Sequence, residues 1–278
     1  WDLDLMRQTA AIAAEEAAAD GIKWTFAPMV DIARDPRWGR VMEGAGEDPF
    51  LGSEIAKARV QGFQGGTDWH SLNKTNTILA CVKHFAAYGA AESGRDYNTA
   101  ELSQHTLWNV YLPPYKAAID AGVGTVMASF NEVNGIPATA NRYLMTDILR
   151  KQWGFKGFVV TDYTGINELI PHGIAADNKH AAELAINAGI DMDMTGSNFI
   201  KHLKKSVEEG KVKEEAINTA VRRILEMKFV LGLFDDPYKF LDENRAKATL
   251  MKPEFLQVAR TAVTKSVVLL KNNAEVLP

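Results

Sequence analysis

Short apolar runs alternate along this chain with longer stretches of helical periodicity. The runs are rich in β-branched and aromatic residues and occupy positions 24–32, 78–85, 125–130, 158–162 and 190–194. Helical patterns lie between them, at positions 3–20, 51–64, 103–110, 114–121, 143–152 and 178–187. The run that ends at Asp162 shows no polar alternation before Thr161, so it predicts a strand buried on both faces, as in a parallel sheet covered by helices.

The alternation of strands and helices predicts an α/β fold. A TIM-type (β/α)8 barrel, complete or in an incomplete or modified version, is the preferred arrangement, and a doubly wound sheet is the alternative. We predict the barrel over residues 1–233, because the strand signals fade after Lys213 and a helical pattern then runs to Gly232. Residues 234–278 are predicted to be a linker and a helix, and their apolar ending indicates the entry to another domain.

Composition and charge exclude several classes of protein. The 278 residues are 46% hydrophobic, which is enough for a large core. The net charge is −4, and no basic stripe is present, which argues against nucleic acid as a partner. The basic cluster at 201–205 is predicted to be a solvated helix face. No window of about 18 apolar residues occurs, so we expect no membrane span.

The single cysteine and the first residue also set expectations. Cys81 lies inside an apolar run, which predicts a core residue and leaves no internal disulfide and no thiolate metal site. We find no ligand spacing typical of a metal site and expect no cofactor. The sequence begins at Trp1 without an initiator Met or a signal segment, so we expect a processed protein or a fragment.

Asp162 ends the fourth apolar run, and it is the first candidate for chemistry. A carboxylate at the mouth of a buried strand is costly unless pairing or function retains it. In parallel sheets ligands gather beyond the carboxyl ends of the strands, where long polar segments follow the runs of this chain. The alternative is that Asp162 caps a helix beginning near Thr164.

The first long loop, residues 34–49, concentrates charges of both signs around a tryptophan and three glycines. Guanidinium groups and carboxylates bind hydroxyl groups, which favours recognition of a polyhydroxylated ligand. The alternative is a loop held together by its own Arg–Asp and Arg–Glu pairs. Both interpretations stay open for Arg37, and ligand binding is favoured for Arg40.

Other candidates lie at the ends of the second and third runs. Lys83 and His84 interrupt an apolar run, and a buried Lys beside a His is typical of functional sites. Adjacent strand residues point to opposite faces, so both can serve one site only where the strand ends and twists. Met127 and Phe130 fit a core position by default. Asn131 and Asn134 could bind a ligand or build the turn at Gly135.

Three familiar motifs are excluded. The stretch from Asp191 to Gly196 imitates the start of a calcium loop, but His202 stands where that loop needs a Glu. Gly44-Ala45-Gly46 resembles half of a nucleotide-binding fingerprint, but it opens no βαβ unit. A Ser/His/Asp triad is not supported either, because no Gly-x-Ser-x-Gly elbow occurs.

Four ordered motifs carry a resemblance to a known family. They are Asp35-Pro36-Arg37-Trp38-Gly39-Arg40 with Glu43-Gly44 and Glu47-Asp48-Pro49; Lys83-His84-Phe85-Ala86-Ala87-Tyr88-Gly89; Val126-Met127 with Asn134-Gly135-Ile136-Pro137; and Gly154-Phe155-Lys156-Gly157 with Thr161-Asp162-Tyr163. Together they closely resemble glycoside hydrolase family 3, and within it the bacterial periplasmic β-glucosidases. The resemblance extends from about Phe26 to Asn273.

The resemblance implies a retaining, exo-acting β-glucosidase that removes terminal β-D-glucosyl residues. Its substrates would be β-glucosides or oligosaccharides, and its compartment the periplasm or the cell exterior. Asp162 would be the nucleophile that forms a covalent glycosyl-enzyme. The residues expected to bind or shape the sugar subsite are Arg40, Lys83, His84, Met127, Phe130 and Tyr163.

The sequence also departs from the family pattern. The family takes its acid/base from a second, α/β sandwich domain, which we expect beyond Pro278, and its first barrel strand with another sugar-binding Asp is expected before Trp1. Tyr163 replaces the Trp common after the nucleophile, which leaves the sugar preference open. Ala86-Ala87-Tyr88 replaces the Pro-Gly-His of the N-acetylglucosaminidase branch, so that branch is disfavoured.

Other functions remain as alternatives. A β-xylosidase or an exo-glucanase would use the same site with a different sugar preference. A sugar-binding barrel without catalysis would keep the subsite, and a Schiff-base aldolase would use Lys83 on the same type of barrel.

Overall fold

The computed structural model describes residues 1–275, and it consists of helices that alternate with short strands. The helices are α1 (Leu3–Ala19), α2 (Pro49–Gln64), α3 (Gln104–Thr106), α4 (Pro113–Asp120), α5 (Asn178–Ala188), α6 (Asn198–Glu208), α7 (Glu214–Val230), α8 (Glu243–Thr249) and α9 (Pro253–Ser266). The strands are β1 (Cys81–Phe85), β2 (Thr125–Ala128), β3 (Glu132–Val133), β4 (Ile136–Pro137) and β5 (Phe158–Val160). Two segments are π-helical, Leu107–Tyr111 and Tyr143–Gln152.

Short 3-10 helices make up part of the loops. They are Val41–Glu43, Trp69–Asn73, Tyr88–Ala90, Glu92–Gly94, Ala138–Ala140, Asn167–Leu169 and Asn273–Glu275.

The central sheet is parallel, with β2 between β1 and β5. Isolated parallel bridges extend it on both sides, from Trp24 to Leu79 and Met29 to Lys83 at one edge and from Val160 to Met192 at the other. Five strand positions therefore follow one another in sequence order, at the five predicted runs. This order is that of a barrel, whereas a doubly wound sheet reverses its order.

The barrel prediction is confirmed in its incomplete form. Within residues 1–275 the strand pairings form an open arc and do not close a ring. Both faces of the arc are buried, as the run before Asp162 predicted. One face packs Val82, Val126 and Val159 against α4, α5 and the second π-helix, and Met227 of α7 covers the other.

Cys81 belongs to the face covered by α7, and its side chain is fully buried. Burial raises the pKa of its thiol to about 12. The prediction of a core cysteine is confirmed by this burial. A thiol that stays protonated in a closed core is a weak nucleophile.

Helix α2 shows how local sequence sets the ends of the elements. Asp48 accepts a hydrogen bond from the Leu51 amide at 2.7 Å, and Pro49 occupies the first turn, where its missing N–H costs nothing. The helix ends at Gln64 and is capped by Gly65, whose φ of 75° suits glycine. The loop that precedes Asp48 therefore runs from the first strand position directly into a well-capped helix.

Residues 234–275 pack against α1 through polar contacts. Lys252 Nζ lies 2.8 Å from Glu15 Oε1, and the Met251 amide donates to Glu16 Oε1 at 2.8 Å. The apolar residues 267–270 that follow α9 are 62–92% exposed. The division into residues 1–233 and 234–278 stays a prediction. Residues 276–278, the last three of the second segment, lie outside the described residues.

Two features bear on partners and ligands. No helix within residues 1–275 combines the length and apolarity needed to cross a lipid bilayer. Among the same residues, no three His, Cys, Asp or Glu side chains converge as metal ligands would. The lysines at 201, 204 and 205 are exposed on α6, which confirms the solvated helix face.

Candidate active site

Asp162 lies two residues beyond β5, at the carboxyl end of the sheet. Its side chain is 16% exposed, and Oδ2 is 3.4 Å from His84 Nε2. Oδ1 accepts a hydrogen bond from the Tyr163 amide at 2.7 Å. The next helical turn, Asn167–Leu169, has Ile166 at its N-cap, so the interpretation of Asp162 as a helix cap is wrong.

His84 is held from the opposite side by a buried carboxylate. The imidazole is 1% exposed, and Nδ1 lies 2.8 Å from Oδ2 of Asp31, which also accepts the His84 amide at 3.0 Å. The hydroxyl of Tyr115 lies 2.5 Å from Asp31 Oδ1 and 2.6 Å from the His84 carbonyl. Asp31, His84 and Asp162 thus form a continuous chain of contacts.

Asp31 and Tyr115 were not predicted as site residues. Asp31 stands at the end of the first apolar run, just as Asp162 stands at the end of the fourth, so the same rule would have selected it. Tyr115 lies in α4 and carries no comparable signal. Burial, followed by the charge of Asp31, raises the pKa of the Tyr115 hydroxyl well above its usual value.

Lys83 and His84 reach the same region because β1 is irregular there. The register of β1 on β2 shifts between Val82 and Phe85. A bulge of this kind re-aims side chains, so the simple alternation of strand faces does not hold at this strand end. Burial is the main cause of the raised pKa of Cys81, and the charge of Lys83 lowers it while that of Asp162 raises it.

Arg40 forms a two-bond ion pair with Glu43. Its Nε and Nη2 lie 2.7 and 2.8 Å from the two carboxylate oxygens. Arg40, in first place, and also Lys83 and His84 lower the pKa of the Glu43 carboxyl. Arg40 thus pairs with Glu43 directly, while Lys83 and His84 act on the same carboxyl through their charges.

Arg37 serves the loop itself. It forms a bidentate pair with Asp35, with Nη2 2.6 Å from Oδ2, and its side chain is 68% exposed. This hydrogen bonding lowers the pKa of Asp35 to about 2. In this structure Arg37 therefore pairs within the loop, which was one of its two interpretations. Arg40 also forms a loop pair, with Glu43, but it lies beside the Tyr88 ring that contacts His84.

Aromatic rings line the same end of the sheet. Tyr88 packs edge-on against His84 with centroids 5.0 Å apart, and the Arg40 guanidinium lies 5.6 Å from the Tyr88 centroid. Phe130 is 7% exposed and lies 4.4 Å from Tyr97. The Tyr97 ring also lies 6.4 Å from that of Tyr88, so this unpredicted tyrosine borders the site. Burial, and then the charges of Asp96 and Asp162, raise its pKa.

Met127 and Tyr163 differ sharply in exposure. Met127 is 2% exposed and packs with Cys81 and Val160 in the core, which is the default interpretation of that position. Tyr163 is 63% exposed.

Asn134 bonds the Leu102 amide and carbonyl at 2.8 and 3.0 Å, so it builds the β3–β4 turn. Asn131 is fully buried and donates to Ala86, Ala87 and Glu132 carbonyls.

The arrangement combines a partly exposed carboxylate, three basic side chains and several aromatic rings. Such a set can hold the hydroxyl groups of a sugar while its C–H face packs on a ring. The fold and this arrangement together define a parallel α/β barrel-type domain with a candidate polar ligand site at the carboxyl ends of its strands.

A family model described as "Glycosyl hydrolase family 3 N terminal domain" matches residues 1–227. The chain therefore belongs to glycosyl hydrolase family 3. It is 45% identical over 285 residues to the periplasmic beta-glucosidase of Salmonella typhimurium, a match that covers all of the chain and 36% of the relative. A putative beta-xylosidase of Formosa agariphila is 36% identical over 269 residues, with 96% of the chain and 35% of the relative covered.

The beta-glucosidase of Listeria innocua has a crystal structure that superposes with a TM-score of 0.96 at 46% identity, over all of this chain and 38% of that one. A variant of it was solved in complex with laminaribiose. The chain thus spans between a third and two fifths of the length of these relatives.

Proposed function

We propose that the protein is a retaining, exo-acting β-glucosidase with Asp162 as its nucleophile. The observation that carries the proposal is the Asp162 carboxylate at the end of β5, partly exposed and 3.4 Å from His84 Nε2. Family membership and the Salmonella relative's name support the reaction class. Arg40, Lys83 and His84 supply basic groups for the sugar hydroxyls, and Phe130 and Tyr163 supply rings.

The chemistry proceeds by two displacements. Asp162 attacks the anomeric carbon, the glycosidic C–O bond breaks, and a covalent glycosyl-enzyme forms, which water then hydrolyses. A second carboxyl about 5–5.5 Å away must protonate the leaving oxygen and then activate the water. We propose that this group belongs to a part of the full-length protein outside these 278 residues, as the larger size of the relatives allows.

Labelling by a 2-deoxy-2-fluoro-glucoside tests the nucleophile. The reagent traps the glycosyl-enzyme, so mass spectrometry of the protein at its full natural length should place the label on Asp162. The variant Asp162→Asn should take up no label and lose about 10³-fold or more in kcat, as nucleophile variants do. A label on a different residue would falsify the assignment.

A β-xylosidase is the second candidate, because two relatives from Formosa agariphila, each 36% identical, bear that name. The ratio of kcat/KM for nitrophenyl β-glucoside and nitrophenyl β-xyloside decides between the two. Turnover of neither, with glucose binding by calorimetry, would select a sugar-binding barrel instead. A borohydride-trapped adduct on Lys83 would select the aldolase.

We also propose the periplasm or the cell exterior as the compartment, on the name of the Salmonella relative. Fractionation of cells that express the full-length gene tests this, and activity confined to the cytoplasm would contradict it.

A further inference from the structure

The buried side chains behind Asp162 suggest a role that goes beyond sugar binding. Asp31 is 1% exposed, and its carboxylate accepts the amide and Nδ1 of His84 and lies within hydrogen-bond distance of the Tyr115 hydroxyl. These donors satisfy a carboxylate that would otherwise be costly to bury. The position of Asp31 is therefore fixed by the same residue that contacts Asp162.

His84 is held along its whole length. Its amide and Nδ1 bond Asp31, and its carbonyl lies 2.6 Å from the Tyr115 hydroxyl. The Tyr88 ring packs edge-on against the imidazole. With 1% of the side chain exposed, no solvent is available to replace these contacts if the ring turns.

The contact with Asp31 also decides which nitrogen carries a proton. An ionised carboxylate only accepts hydrogen bonds, so the 2.8 Å contact places a proton on Nδ1. Nε2 is then the atom that faces Asp162 Oδ2, while Oδ1 of the same carboxylate accepts from the Tyr163 amide. Oδ1 of Asp162 is thus held by a hydrogen bond, and Oδ2 lies against the edge of a ring whose orientation Asp31 sets.

We propose that Asp31 is a positioning residue: it accepts the Nδ1 proton of His84 and fixes the imidazole with Nε2 facing Asp162, so that the ring sets where the nucleophile lies. The inference rests on the proposed function, because it assigns Asp31 a part in the reaction of Asp162. In metal sites, the partners that orient a ligating histidine typically cost about 10–100-fold in metal affinity or activity when they are removed, and we expect a loss of that order here.

Two measurements test the proposal on the protein at its full natural length. Asp31→Asn keeps the shape of the side chain, and it should slow labelling of Asp162 by the 2-fluoro-glucoside about 10–100-fold. Nitrogen-15 spectra of histidine-labelled protein, with His84 assigned by His84→Gln, should show Nδ1 protonated in the wild type and a changed ring signal in Asp31→Asn.

Asp191→Asn is the matched control, since Asp191 is also a buried carboxylate but bonds arginines and not His84. It should lower thermal stability while leaving the His84 signal unchanged. Labelling of Asp31→Asn at the wild-type rate would overturn the proposal. A wild-type nitrogen-15 spectrum with the only His84 proton on Nε2 would also overturn it. This second measurement does not depend on whether Asp31→Asn folds. Absence of labelling in the wild type would count against the proposed function, and the His84 spectrum would still decide the arrangement.

Discussion

Replacement of Asp191 by Asn should destabilise the domain strongly. Asp191 is 5% exposed, and its two oxygens lie 2.6 Å from Arg150 Nη2 and 2.8 Å from Arg223 Nη1. It also accepts the Val159 amide at 2.7 Å, which ties the fifth strand position to β5 just before Asp162.

The size of the effect follows from what the substitution leaves behind. Arg150 is 10% exposed, and burial lowers the pKa of its guanidinium to about 10, so it remains charged at pH 7. Removing one partner of a buried ion pair costs about 3–5 kcal/mol, because the other charge stays buried and unpaired. For a domain of this size, that corresponds to a fall in Tm of roughly 6–20 °C.

Urea and thermal unfolding at pH 7 measure this loss. The control is Asp120→Asn, which breaks an exposed pair with Lys116 whose side chains are 56% and 40% exposed. Such surface pairs contribute about 0–1 kcal/mol and weaken in salt, whereas the Asp191 loss should change little with salt. A loss for Asp191→Asn no larger than that for Asp120→Asn would refute the reasoning.

Three further predictions concern the core. Gly157→Ala should prevent folding or lower the unfolding free energy by several kcal/mol, because the added Cβ would lie 1.9 Å from the Gly124 carbonyl oxygen. Gly39→Ala is the control, since a Cβ there meets nothing within 4 Å. Chemical unfolding compares the two variants. Cys81 should react with a thiol reagent at pH 8 no faster than the protein opens, and rapid labelling of the native state would contradict its burial. Burial lowers the pKa of Lys23 from 10.5 to about 7, so the folded state binds fewer protons between these values and the wild type loses stability as pH falls from 10.5 to 7. As the pH falls from 10.5 to 7, the unfolding free energy of Lys23→Met should therefore rise relative to that of the wild type, and below pH 7 the difference should stay constant. A difference that is already constant between pH 10.5 and 7 would show that folding does not lower the pKa of Lys23.

Helix α1 and the five strand positions could be predicted from sequence because their signals are local. The helical pattern at 3–20 matches Leu3–Ala19, and the apolar runs match the observed parallel segments. The π-helical turns at Leu107–Tyr111 and Tyr143–Gln152 could not be predicted, because periodicity does not separate them from ordinary helix. Helix α8 was also missed, since Arg245 secures it by bonding the carbonyls of Phe240 and the distant Ala18.

The candidate site divides in the same way. Strand ends and unusual buried charges indicated Asp162, Lys83 and His84, because such residues are costly wherever the strand packs. Whether Met127 faces a ligand or the core depends on which helix covers its face of the sheet. In this structure α7 covers it.

By itself, the sequence determined the alternation of strands and helices, the strand ends that carry polar residues and the four motifs of the family. Only the tertiary structure decided which side chains meet. Asp31 and His84 are 53 positions apart, and they pair because neighbouring parallel strands set them side by side. His84 turns toward Asp162 because the register of β1 shifts at that point. Periodicity is a property of consecutive residues, whereas strand register and bulges arise from packing between distant segments.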